Sequence, residues 1–195
     1  MTRSHRFNES AWPFLEARHY KRLGVTDRNI RLVVIHDMEY PERITAAEDV
    51  ARYFNTTENA VSAHLCIDNN SVVRCVHDSD VAYAAPGANH DGIQIELAGY
   101  SRQNRKDWLD DYGIALLALA SNAVAYYCIK YGIPVRQLTN SQLADGISKG
   151  IIGHYQASEV FKKSRHSDPG AGFPWDYFIA SAQTFVSDMN AKIAV

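Results

Sequence analysis

The run Leu32-Val33-Val34-Ile35 is continuously apolar and stops at His36. A helix with one buried face spaces its apolar residues three and four apart. A half-exposed strand alternates them. Four in a row therefore fit a strand covered on both faces. Ile30 to Ile35 is predicted as that strand, and layers of structure must cover it above and below.

The rest of the chain supplies such layers. Ala63 to Asp68 and Val72 to His77 read as a hairpin, a short strand follows near Val81–Tyr83, and Gly92 to Leu97 alternates as a strand should. Ile151-Ile152-Gly153-His154 is a further short apolar run ending in a polar residue. Thr45-Ala46-Ala47-Glu48 has the form of a capping box, and the helix it opens places Ala47, Val50, Ala51 and Phe54 on one face. A long helix is predicted from Trp108 to Tyr131, with Asp110 and Asp111 in its first turn and Gly132 and Pro134 stopping it. Ser141 to Ile147 reads as a short helical turn. A last helix opens at Pro174, with Trp175, Phe178, Ile179, Ala182, Phe185, Val186 and Met189 as a core-facing stripe. The expected fold class is α/β: a single domain with a central mixed β-sheet of about five or six strands flanked by helices. Residues 1–28 read as an N-terminal arm anchored by Trp12, Phe14 and Tyr20, and residues 29–195 as the domain proper.

The stretch Tyr112–Ile129 carries no charge, but it is rich in Ala and contains Gly113, Ser121 and Asn122. It reads as a helix buried against a sheet, not one inserted in a membrane. A formal net charge of -2 with scattered Lys and Arg gives no nucleic-acid patch. The first residues are polar and hold no apolar run of the secretory type, so synthesis in the cytoplasm is expected. Three cysteines, Cys66, Cys75 and Cys128, do not make a disulfide framework. Cys66 and Cys75 could face each other across the hairpin; reduced thiols on a buried face is the preferred reading.

Four residues could do chemistry. His36 follows the most apolar strand, His154 follows a second apolar run, Glu96 ends a third, and Asp168 opens an Asp-Pro-Gly turn. Ends of buried strands are where α/β folds place their sites. Two His and one carboxylate, with water in the fourth position, make a catalytic zinc set. Spacing alone also permits blander roles: a hydrogen-bonded strand-end histidine, an Asx-type turn at Asp168, a sheet-edge carboxylate at Glu96.

The segments VVIHDME, VSAHLCIDNNSVVRCV, GANHDGIQIELAG, GIIGHYQAS and RHSDPGAGFPW occur in that order. From about Ile30 to Phe185 they resemble the zinc-dependent N-acetylmuramoyl-L-alanine amidases, the family that shares its fold with peptidoglycan recognition proteins. The N-terminal arm and the Gly-Phe-Pro-Trp ending look most like an amidase module of a phage endolysin. The resemblance implies one Zn2+ per chain held by His36, His154 and Asp168. It implies catalytic roles for Glu96 and His166, and substrate contact by Asn89. His64 is counted with the substrate-binding residues, with a structural role also open to it. The partner implied is peptidoglycan, acted on by a monomer after release through a phage holin, with no nucleic acid and no membrane insertion.

The sequence departs from the family pattern. His166 stands where the family usually has Lys, Ala63 where some members have Tyr, Tyr83-Ala84 where a Trp-His pair is common, and Met38 where a small hydroxyl residue often sits. Since Ala63 cannot move protons, Glu96 carries the acid–base work. Glu96 is expected to take a proton from the attacking water and pass it to the departing alanine nitrogen. Other readings are a non-catalytic peptidoglycan-binding module of the same fold, an intracellular wall-recycling amidase, and a cysteine peptidase using Cys66 or Cys128.

Overall fold

A computed structural model describes residues 11–23 and 28–193. Five strands form the central sheet in the order β4-β3-β6-β2-β7. These are β2 (Leu32–Asp37), β3 (Leu65–Ile67), β4 (Val72–Arg74), β6 (Gly92–Leu97) and β7 (Gly150–Gly153). The pairs β3–β6, β6–β2 and β2–β7 are parallel, and the β3–β4 hairpin adds an antiparallel edge. The sheet is thus mixed, with its longest strands in the middle, as the apolar run at 32–35 requires. A separate ribbon pairs β1 (Tyr20–Lys21) with β5 (Val81–Ala82), so the strand expected near Val81 joins the arm and not the main sheet.

Helices are α1 (Ala46–Thr56), α2 (Arg105–Trp108), α3 (Asp111–Tyr131), α4 (Asn140–Ala144), α5 (His154–Phe161) and α6 (Trp175–Ile193). On one face of the sheet, Val33, Ile35, Leu65, Ile67, Ile93, Ile95, Leu97 and Ile151 meet Trp108, Leu116, Leu117, Val124 and Phe178 in one continuous core. Helix α3 is long and apolar enough to cross a membrane; here it is mostly buried between the sheet and α6. The opposite face holds two smaller clusters. One forms under α1 around Ala47, Ala51, Phe54, Cys66 and Val73, and the other under α4 and α5 around Leu32, Val34, Leu138, Leu143 and Ile152.

Several local expectations are corrected. The capping box at Thr45 does not form: its hydroxyl bonds Asp49 at 2.9 Å, and the Ala47 N–H is taken by Asp68 from the hairpin at 3.0 Å. The helix expected over roughly Trp108–Tyr131 is α3, which starts three residues later; Trp108 instead ends the separate short helix α2. Asn104 and Asp107 cap α2 reciprocally, and Asp110 accepts from Gly113 N–H at 2.8 Å to start α3 afresh. Gly113 is required at that break, because a Cβ there would lie 2.2 Å from the Trp108 carbonyl oxygen. His36 lies inside β2 and does not follow it. Helix α5, which His154 opens, was not among the predicted elements. Of the arm, Trp12 is buried against Tyr126 and Tyr127, and Phe14 stacks on His77 at 4.4 Å.

Candidate active site

Parallel pairing sets β2, β6 and β7 side by side with their carboxyl ends at one edge. Register places Glu96 beside His36, and Gly153 beside Ile35, so His154 emerges next to both. Asp168 arrives from the loop after α5, which is tied back by the Tyr155 N–H donating to the Asp168 carbonyl at 3.0 Å.

The three residues meet. His36 Nδ1 lies 3.0 Å from Asp168 Oδ2, and His154 Nδ1 lies 3.1 Å from Asp168 Oδ1. One ligand atom from each falls within 4.8 Å of the others, and all three side chains are buried. Around a tetrahedral zinc, ligand atoms about 2.0–2.2 Å from the ion lie roughly 3.3–3.5 Å apart. The donor set therefore suits a zinc ion, with both histidines already close to Asp168 and all three groups near enough to reach one ion. The outer nitrogens also have partners: His36 Nε2 faces Gln94 Oε1 at 2.9 Å, and His154 Nε2 faces Ser164 Oγ at 3.4 Å. Such outer contacts fix ring orientation in metal sites.

The electrostatics pair the Asp168 carboxylate with positive charge on the ring beside it. Burial works to raise Asp168, yet hydrogen bonds from His154 and His36 hold it well below the ordinary carboxylate range. Burial likewise works against charge on His36, but the Asp168 hydrogen bond and the Glu96 carboxylate outweigh it and lift the ring to about 9. Two carboxylates nearby are pushed the other way. Burial raises Glu96 to about 7, opposed by His36, and raises Asp37 to about 8, opposed by the Glu39 N–H. Glu96 Oε2 and Asp37 Oδ2 are buried with no hydrogen-bond partner among the described residues.

These groups line the end of a cleft of ≈ 630 Å³, which continues along α1 past Asp49 and Tyr53. His166 sits on the rim. Its ring stacks on His154 at 4.1 Å and 18°, its Nδ1 is 3.4 Å from Asp168 Oδ1, and its side chain is 59% exposed.

The two other expected site residues do not line the cleft. His64 is fully buried, so the substrate contact counted for it is not available. Its Nδ1 accepts from the Gln94 N–H at 2.9 Å, its Nε2 faces the Asp80 carbonyl and Arg28, and burial together with Arg28 pushes it down to about 3. Asn89 Oδ1 accepts from the N–H groups of Ala84 and Ala85 at 3.1 and 2.7 Å, which closes a loop at the edge of the cleft. Cys66 and Cys128 are buried and burial raises both thiols, Cys128 to about 12, so neither is suited to be a nucleophile. Sequence reading missed Gln94 and Asp37. A signal was present for Gln94, which lies two residues before Glu96 and hence on the same face of β6; strand alternation turns Asp37 away from His36 and gave no such pointer.

The sequence profile of the N-acetylmuramoyl-L-alanine amidase family matches residues 26–171, a span that contains His36, Glu96, His154, His166 and Asp168. No curated protein matches the chain. Solved structures do. The hydrolase AmiA of Staphylococcus aureus, determined in complex with its ligand, superposes with a TM-score of 0.63 at 15% identity, over 83% of this chain and 75% of that one. An AmpD derivative gives 0.63 at 19% identity, over 93% and 99%. The endolysin amidase LysCS from Clostridium intestinale gives 0.52 at 15% identity, over 87% and 95%. At these identities the likeness is one of fold.

Proposed function

The chain belongs to the N-acetylmuramoyl-L-alanine amidase family, and from that premise we propose that it is a zinc-dependent hydrolase of the bond joining N-acetylmuramic acid to L-alanine in peptidoglycan. The observation that carries the zinc reading is the convergence of His36, His154 and Asp168 within 4.8 Å at the end of a cleft. The chemistry zinc supplies in such a site is Lewis acidity toward a water and toward the carbonyl under attack.

The chain's own residues do the rest. Glu96, raised to about 7, is poised to take a proton near neutral pH. It accepts the proton of the attacking water and delivers it to the alanine nitrogen as the C–N bond breaks. His166 Nδ1 faces Asp168 at 3.4 Å; with a proton on each ring nitrogen, His166 donates from Nε2 to the carbonyl oxygen as charge builds there. One donor of this kind is typically worth roughly 3–4 kcal/mol. The loop that Asn89 ties together shapes the cleft edge from outside, and His64 holds the strand behind it. The endolysin LysCS shares this fold, and the reading we take is the endolysin one, a role in phage lysis.

Digestion of purified cell walls tests this. New free amino groups on alanine, with no new reducing sugar, are expected, together with loss of activity on chelation and recovery with zinc. Reducing ends would make the enzyme a glycosidase. Activity that survives chelation would remove the metal from the mechanism.

A further inference from the structure

Gln94 lies on the central strand β6, fully buried, with its side chain behind the metal ligands. An uncharged amide in that position must be satisfied on both of its ends. Both are. Its Nε2 donates to the Ala88 carbonyl at 2.9 Å, and its Oε1 faces His36 Nε2 at 2.9 Å. The reverse orientation would set Oε1 against the Ala88 oxygen, an acceptor against an acceptor. Ala88 therefore fixes which end of the amide meets His36.

The consequence passes to the histidine. Oε1 only accepts, so His36 Nε2 must carry the proton and donate it. A neutral imidazole has one donor and one lone pair, so the lone pair falls on Nδ1, the nitrogen 3.0 Å from Asp168. Resting on the zinc reading above, we propose that Gln94 is a positioning residue that selects the tautomer of His36 and so makes Nδ1 the nitrogen that binds the ion.

The surroundings hold this device in place. The backbone of residue 94 is pinned to His64 twice: Gln94 N–H donates to His64 Nδ1 at 2.9 Å, and His64 N–H donates to the Gln94 carbonyl at 3.0 Å. Behind His64, the Arg28 guanidinium gathers the carbonyls of Asp78, Asp80, Asn89, His90 and Gly92, which locks the loop carrying Ala88 against the strand. Gly92 provides the space: a Cβ there would sit 2.8 Å from Gln94 Nε2 and 2.5 Å from the Ala88 oxygen. A side chain at position 92 would break the contact that orients the amide.

Zinc affinity measured by competition with a chromogenic chelator separates this role from simple packing. Gln94→Leu keeps the volume but loses the acceptor, and should weaken zinc roughly 10- to 100-fold. Gln94→Glu keeps an acceptor toward His36 but loses the donor to the Ala88 oxygen, and should weaken zinc less than Gln94→Leu does. Gly92→Ala should weaken zinc in the same direction as Gln94→Leu. In the zinc-loaded parent protein, long-range 1H–15N NMR should find the His36 proton on Nε2. A folded Gln94→Leu protein with parental zinc affinity, or a proton on Nδ1, overturns the proposal. A proton found on Nδ1 overturns the proposal even if the Leu variant does not fold. A parent protein that takes up no stoichiometric zinc defeats the metal reading itself, a different result from parent and variant binding alike.

Discussion

Along β6, Ile93, Ile95 and Leu97 face a core closed by α3 and α6, while Gly92, Gln94 and Glu96 face the opposite side of the sheet. The same division runs through β2, with Val33 and Ile35 on one side and Leu32, Val34 and His36 on the other. The first face is apolar from edge to edge. The second is split into two small clusters, with a strip of buried polar groups between them. Buried polar and charged groups cost free energy unless they are paired, and Glu96 and Asp37 each keep an unpaired oxygen. One face of this sheet stabilises the fold; the other carries groups whose arrangement makes sense only through what they bind. Neighbouring residues on one strand should therefore fail in different ways when changed.

The largest contrast is expected at Glu96. Glu96→Gln keeps the shape but cannot take a proton, and should lower the rate of amide cleavage roughly 100- to 10,000-fold. Circular dichroism should stay close to that of the parent, and zinc affinity should fall only modestly, through loss of one nearby negative charge. A variant that keeps a tenth or more of the activity would move the proton-transfer role elsewhere in the cleft. Next door, Ile95→Ala should act oppositely. Ile95 is fully buried, and its truncation should cost about 2–5 kcal/mol in urea denaturation. In the variant that is still folded, zinc affinity should be near parental. If zinc affinity falls in proportion to stability, the two faces are not separable.

That division also explains what could be read from the sequence. Apolar runs located β2 and β7, because burial on both faces leaves little freedom of interpretation, and alternation located β6. The break between α2 and α3 was hidden, since the apolar pattern from Trp108 onward runs through it; only the capping by Asn104 and Asp110 marks it. His36, His154 and Asp168 became a set through resemblance, because their convergence depends on strand order, which periodicity does not encode. Gln94 was overlooked for a different reason. A polar residue in an alternating strand reads as facing water, yet here that face is covered and Gln94 is satisfied by Ala88 and His36. His64 was legible as a histidine but not as a buried one, since its partners are the backbones of Gln94 and Asp80.

Metal binding should link the polar face to overall stability. A ligand that binds only the folded chain stabilises it by about 2.7 kcal/mol at 100 times its Kd and about 4.1 at 1,000 times. Zinc should therefore raise the thermal midpoint of the parent protein. In His154→Ala, which loses one of the three proposed ligands, the increase should largely disappear. Ile95→Ala, weakened on the other face, should still gain about as much from zinc as the parent. A rise of equal size in His154→Ala would place the zinc effect at some other site.

The smallest effect is one of pH, and it is expected in the metal-free protein. Burial raises Glu96 from an ordinary 4.5 to about 7, so the folded chain holds this proton more tightly than the unfolded chain. Its contribution to stability is then complete below about pH 4.5 and is lost as pH rises through 7. A neutral amide at the same position has no such dependence. The stability of the parent minus that of Glu96→Gln should therefore fall between those two pH values, by something on the order of 2 kcal/mol once partial exposure is allowed for. Zinc should shrink the fall, because a cation beside the carboxylate favours its charged form. Ile95→Val, one residue away and facing the other core, should leave the shape of the pH curve unchanged. Parallel curves for the parent and Glu96→Gln would mean that water reaches this carboxylate freely, and the strip between the two clusters would then be open cleft floor, not a desolvated polar face.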